Sequence, residues 1–202
     1  MLRRSLALAV AALLAAAGPA CSSRDGRVLP PPDPGATTTS VSTPVVAQPM
    51  DGDGLVEVFS LASTAFTEGE QIPPRHTCAG EGISPPLSWA STPPAAELAL
   101  VVRDRTADGF VHWVVTGIDP VVQGLGEGAV PEGAVEARND AGSVGWSAPC
   151  PPNGTHTYEL SLHVLPERLT LEGGAPPDQA ALMVEGASTV AATLTATVSA
   201  EP

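Results

Sequence analysis

The sequence predicts a mainly β domain with minor helix, and three observations support this. With 22 prolines, 20 glycines and 3% aromatic residues, the chain suits short strands and many turns better than a helical bundle. Residues Thr157–Leu165 alternate: Tyr158, Leu160, Leu162 and Val164 share one face, and Thr157, Glu159, Ser161 and His163 the other. That period of two marks a half-buried antiparallel strand. Pro85-Pro86, Pro93-Pro94 and the stretch from Pro149 to Gly154 separate the apolar runs.

In chain order, Arg3 and Arg4 precede an Ala/Leu-rich stretch from Leu6 to Ala17. About a dozen residues is short of the roughly 20 needed to span a bilayer, but suits the core of a secretory signal. Gly18-Pro19-Ala20 then leads into Cys21. A small residue before such a cysteine resembles a bacterial lipoprotein signal, in which the cysteine is lipidated and becomes the N-terminus. Gly18 stands where that pattern prefers Leu, and residues 15–20 also suit ordinary signal cleavage. The expectation is a signal peptide over 1–20 and a lipid on Cys21. The protein would then be held at the cell membrane, facing outside the cytoplasm; the alternative is free secretion.

Residues 21–54 read as a tether. Pro30-Pro31-Pro32, Thr37-Thr38-Thr39-Ser40 and Asp51-Gly52-Asp53-Gly54 cannot build a core. The rest, 55–202, has the size of one domain. Within it, Leu55–Phe59, Leu98–Val102, Phe110–Ile118, Thr157–Leu165 and Thr189–Val198 are predicted strands. One short helix is predicted from Pro177 to Glu185, with Asp178 favouring its N-terminus and Gly186 stopping it.

Removing residues 1–20 takes away two of the nine basic residues and none of the 22 acidic ones, leaving a formal charge of −15. There is no lysine. This balance excludes nucleic acid as a partner and any polybasic grip on anionic lipid. Membrane contact would come through the N-terminal lipid alone.

Four histidines are separated by strand parity. His163 lies on the polar face and is expected in solvent. His156 shares parity with Tyr158 and follows the Pro151-Pro152-Asn153-Gly154 turn, a position typical of a pocket rim. His112 is flanked by apolar residues in Phe110–Val114, and reads as either a hydrogen-bonded core group or a ligand-binding one. Asp104 closes the preceding apolar run; such a residue usually faces solvent, yet a hairpin could bring it to His112. His76 sits in a Pro-rich loop.

Cys78 and Cys150 fall in loop-like surroundings. In an oxidising compartment they invite a disulfide, with two buried thiols or a metal site as alternatives. No Cys-x-x-Cys pair occurs, and Asp104, His112, Cys150 and His156 lack a compact ligand spacing. No metal or cofactor is therefore expected. No Gly-x-Ser-x-Gly elbow, His-Glu-x-x-His helix or phosphate-cradling loop is present. Ser84 and Ser147 remain unsupported as nucleophiles.

Three segments occur together. Cys78-Ala79-Gly80-Glu81-Gly82-Ile83-Ser84-Pro85-Pro86-Leu87-Ser88-Trp89 resembles the opening signature of the phosphatidylethanolamine-binding protein family, whose bacterial branch is also called Raf-kinase-inhibitor-like. Leu100–Asp104 with Gly109–Val115 resembles its first core motif, and Gly145–Tyr158 its second. The resemblance runs from about residue 58 to 198. It implies an antiparallel β-sandwich with one or two short helices and a small anion-binding pocket at one end. It places Asp104, His112, His156 and Tyr158 at pocket positions. Two imidazoles can donate to phosphate or carboxylate oxygens, and an acidic neighbour favours their charged form.

This sequence departs from the family pattern at several points. Arg105-Thr106-Ala107-Asp108 stands for Pro-Asp-Ala-Pro, so Thr106 replaces a second pocket aspartate. Ala187 stands where a histidine is frequent, and Ser147-Ala148-Pro149 replaces a Gly-Pro step. Arg103 or Arg105 could instead bring positive charge to the pocket. The leading expectation is a non-enzymatic binding protein for a small anionic ligand. The alternatives are an interaction or inhibitor module with a protein partner outside the cytoplasm, and a weak acid–base enzyme using Asp104 and His112.

Overall fold

The structure is a computed structural model, and it describes residues 58–201. Cys21, the signal peptide and the tether lie outside the described residues.

The described residues form eight strands, one α-helix and a short 3₁₀ turn at Pro74–His76. The strands are β1 (Ser60–Ser63), β2 (Leu87–Ala90), β3 (Glu97–Asp104), β4 (Phe110–Ile118), β5 (Gly124–Leu125), β6 (Val135–Glu136), β7 (Thr155–Leu165) and β8 (Val190–Ser199). Helix α1 spans Pro177–Ala187. Strands β1, β2 and β5 make a small sheet, and the larger sheet runs β6-β4-β3-β7-β8. All these pairs are antiparallel.

Why β3 sits at the centre is visible in its residues. Leu98, Ala99, Leu100, Val101 and Val102 are all fully buried. A continuous apolar run suits a strand covered on both faces. On one face Leu98, Leu100 and Val102 pack with Trp113, Leu160 and Leu162 against Leu61, Leu87 and Trp89 of the small sheet. On the other, Ala99 and Val101 pack with Val111, Val114 and Leu165 beneath Ala180, Ala181 and Val184 of α1. Each larger side chain so buried contributes about 1.5–3 kcal/mol.

Several expectations are corrected. Of the predicted strand Leu55–Phe59, only Val58 and Phe59 are described, and the strand begins at Ser60. Helix α1 runs through Gly186 and ends at Ala187, with Ser188 as its extended C-cap. His163 is not in solvent: it is 7% exposed, because α1 covers the face that alternation alone assigns to water. Asp104 is buried too, and its partner is His156 rather than His112.

One irregularity positions the site. Phe110 pairs with Asp104, Val111 with Arg103 and Trp113 with Val102, with a register shift between Val102 and Arg103. Two residues of β4, Val111 and His112, therefore oppose one residue of β3, which is a β-bulge. Val111 turns under α1, while the His112 ring lies beside the rings of Phe110 and Tyr158. Unbroken alternation would have put Phe110 and Trp113 on opposite faces.

Candidate functional site

A cavity of about 270 Å³ opens at the end of the large sheet where β3, β4 and β7 meet. Asp104, Phe110, His112, His156 and Tyr158 line it from the strands, and Ser147, Ala148, Cys150, Pro151 and Pro152 from the loop before β7. The four residues named from the sequence as pocket positions thus surround one cavity.

Asp104 ends β3 opposite both Phe110 and Tyr158. Its Oδ1 accepts from the Thr106 and Ala107 amides at 2.8 and 3.1 Å. Its Oδ2 accepts from His156 Nδ1 at 2.6 Å. A carboxylate so buried needs this full set of donors. Its bond fixes a proton on His156 Nδ1 and leaves Nε2 for another partner. Burial, and then the neighbouring Asp104 charge, push the Tyr158 pKa above its ordinary value near 10. Tyr158 therefore remains a neutral donor.

His112 is held from the other side. Its Nδ1–H donates to the Ser147 carbonyl at 2.8 Å. A carbonyl only accepts, so the proton sits on Nδ1 and Nε2 is again left over. Its ring centroid lies 4.8 Å from that of Phe110 and 5.2 Å from that of Tyr158. Burial lowers its pKa from the usual 6.5, while the Ser147 bond and the charges of Asp104 and Asp140 work the other way.

Cys78 and Cys150 are bonded at an S–S distance of 2.02 Å. Cys150 is a wall residue of the cavity, so the bond ties the rim to the Cys78 loop. A second tie is the Cys78 amide, which donates to the Pro149 carbonyl at 3.0 Å. Pro151 and Pro152 have no amide hydrogen and restricted φ, which limits the shapes this rim can take.

The idea that an arginine charges the pocket does not hold. Arg103 Nε pairs with Glu185 at 2.9 Å and its Nη1 donates to the Gly109 carbonyl. Arg105 Nε lies 3.9 Å from Glu159, and neither arginine lines the cavity. Thr106 does not line it either; its Oγ1 accepts from the Thr157 amide and so pins the β3–β4 turn to β7. Ala187 ends α1, also away from the lining. His76 is buried elsewhere, bonded to the Ile83 carbonyl. Ser147 contributes its carbonyl, and Ser84 borders a different cleft. Sequence reasoning missed Phe110, Ala107 and Ala141. Phe110 was open to discovery, since it starts the strand that carries His112; Ala107 and Ala141 carry no chemical signal.

Similarity to other proteins is consistent with this geometry. The family pattern of the phosphatidylethanolamine-binding protein matches residues 62–199. A Mycobacterium tuberculosis protein named as a lipoprotein, LppC, is 40% identical over 201 residues, covering 96% of each chain. A UPF0098 protein of Methanothermobacter thermautotrophicus is 42% identical over 136 residues, covering 63% of this chain and 90% of the relative. A crystal structure of a homologue from Chlamydia trachomatis superposes with a TM-score of 0.65 at 36% identity, covering 71% of this chain and 99% of that one. Escherichia coli YbcL gives 0.66 at 27%, with the same coverage. This chain belongs to the phosphatidylethanolamine-binding protein family.

Proposed function

We propose that this chain is an exported, lipid-anchored binding protein whose cavity takes a small anion bearing a phosphate or carboxylate. One observation carries the reading. Two imidazoles line one small cavity, each with its Nδ1 proton committed to a fixed acceptor. Protonated at Nε2, both would donate charge-assisted hydrogen bonds to ligand oxygens. Asp104 would set the orientation of His156 instead of meeting the ligand charge itself. The lipoprotein name of the relative LppC supports the anchored form, with Cys21 as the lipidated residue.

The proposal includes a pH dependence. Burial lowers the His112 pKa, so near neutrality its uncharged form prevails. An anion favours the charged form, and binding therefore takes up a proton. Affinity should rise as pH falls from 7.5 towards 5.5, by up to about tenfold per unit for one linked proton.

The test is a titration of the mature chain with inorganic phosphate and with phosphoethanolamine, read by imidazole resonances. His112 and His156 should both shift, more strongly at the lower pH, and His112→Ala should remove the response. No shift at millimolar ligand at either pH would end this reading and favour an interaction module with a partner outside the cytoplasm.

A further inference from the structure

A second cleft, of about 260 Å³, is lined by the sequence neighbours of two residues of the first cavity. Trp113, Glu136 and Trp146 line it, with Ile83, Val130 and Val144 at its apolar wall. The neighbours His112 and Ser147 line the anion cavity instead. We propose that this second cleft binds a small organic ammonium ion, with Glu136 as counter-charge and the two indoles as the aromatic wall.

The argument starts from Glu136. It lies in β6, the short edge strand paired to β4, and it is half-buried. Its Oε1 accepts from Trp113 Nε1 at 2.7 Å, and Trp113 is 2% exposed. The backbone makes room for the carboxylate: a Cβ on Gly145 would fall 2.9 Å from Oε1, and Gly145 has φ +91°. The carboxylate is therefore built into the fold. Yet among the described residues no arginine or histidine nitrogen reaches it within salt-bridge distance. A half-buried carboxylate is stabilised by a cation, and none of the described residues provides one.

The remaining wall selects the kind of cation. The Trp113 and Trp146 rings meet edge to face, with centroids 5.7 Å apart and planes at 80°. Trp146 Nε1 is buried with no hydrogen-bond partner, so packing alone holds that ring. Indole faces attract cations, and they favour weakly hydrated organic ones over metal ions. Val144 at 56% and Val130 at 38% exposure offer apolar contact at the mouth. The chain has no lysine, so no side-chain alkylammonium of its own can fill the cleft. Its formal charge of −13 raises the local concentration of any cation.

The site shares no lining residue with the anion cavity. The probes are tetramethylammonium chloride and ethylammonium chloride, titrated into the mature chain with sodium chloride as control. The readout is the indole N–H resonances of the three tryptophans. Those of Trp113 and Trp146 should shift saturably, half-complete on the order of millimolar. Trp89, whose Nε1 donates to the Val122 carbonyl at 2.8 Å, should not respond. Glu136→Gln keeps an acceptor for Trp113 and should weaken binding at least tenfold, leaving the phosphate response of His112 in place. Val144→Arg, at an exposed position, sets a tethered cation at the mouth and should have the same effect should the glutamine variant not fold. Shifts matched by sodium, or saturation unchanged in a folded variant, would overturn the proposal.

Discussion

The two histidines of β7 lie on one strand in opposite surroundings. His156, at the open end, gives its Nδ1 proton to Asp104 at 2.6 Å. His163, beneath α1, is 7% exposed, and neither ring nitrogen has a hydrogen-bond partner. At the pocket end polar groups are buried because each is held by another, and a disulfide closes the rim. On the helix-covered face, an imidazole is buried without being satisfied. Burial of a histidine is thus not a sign of function by itself; an oriented partner is what distinguishes the two.

The largest expected effect tests the pocket end. The Cys78–Cys150 bond spans a sequence separation of 72, and replacing both cysteines by alanine should cost about 4 kcal/mol in denaturant unfolding. It should also weaken phosphate binding, since Cys150 is part of the wall, while the His163 resonance stays where it is. An unchanged midpoint would mean that hydrogen bonds alone hold the rim.

A smaller effect tests the helix-covered face. His163→Leu removes two unsatisfied nitrogens and should stabilise the fold by about 1–2 kcal/mol at neutral pH. Burial lowers the His163 pKa below its usual 6.5; the Glu185 charge opposes this and that of Arg103 adds to it. The stability that accompanies the neutral ring is present above pH 6.5 and is lost as pH falls through the lower folded value. Thermal melts at pH 7.5 and 5 should therefore show less acid destabilisation in the leucine variant than in the parent. An equal loss would place the acid sensitivity elsewhere, His112 being the next group with a lowered pKa.

The smallest effect lies in the helix itself. Gly186 is helical, and an added Cβ would meet nothing within 4 Å. Gly186→Ala should gain about 0.5–1 kcal/mol by removing backbone freedom from the unfolded chain. A loss would show that the end of α1 needs glycine for a reason beyond its conformation.

Much of this was legible in the sequence. β4 was predicted with its observed bounds, and β3, β7, β8 and α1 within a few residues, because long periodic runs carry strong signals. The error at His163 had a readable cause. Residues Leu98–Val102 form an unbroken apolar run, which implies a sheet covered on both faces, so the strand beside it should not have been read as half in water. Local pattern leaves Asp104 open, because a terminal charge usually meets solvent and nothing local reveals the three donors gathered around it. The set of Asp104, His112, His156 and Tyr158 came from resemblance to the family. Periodicity alone leaves His112 open, since a bulge is invisible to a count of two.

That bulge has a consequence for how the protein can change over time. Opposite Arg103, one rung of the ladder carries two side chains: Val111 serves the packing beneath α1 and His112 serves the cavity. In a regular strand one residue would have to answer to one face only, and the other face would go unserved at that level. Here selection on ligand preference acts at one codon and selection on foldability at its neighbour. A descendant could exchange His112 for a different recognition group without reopening the core, whereas deleting either residue would force one face to give up its occupant.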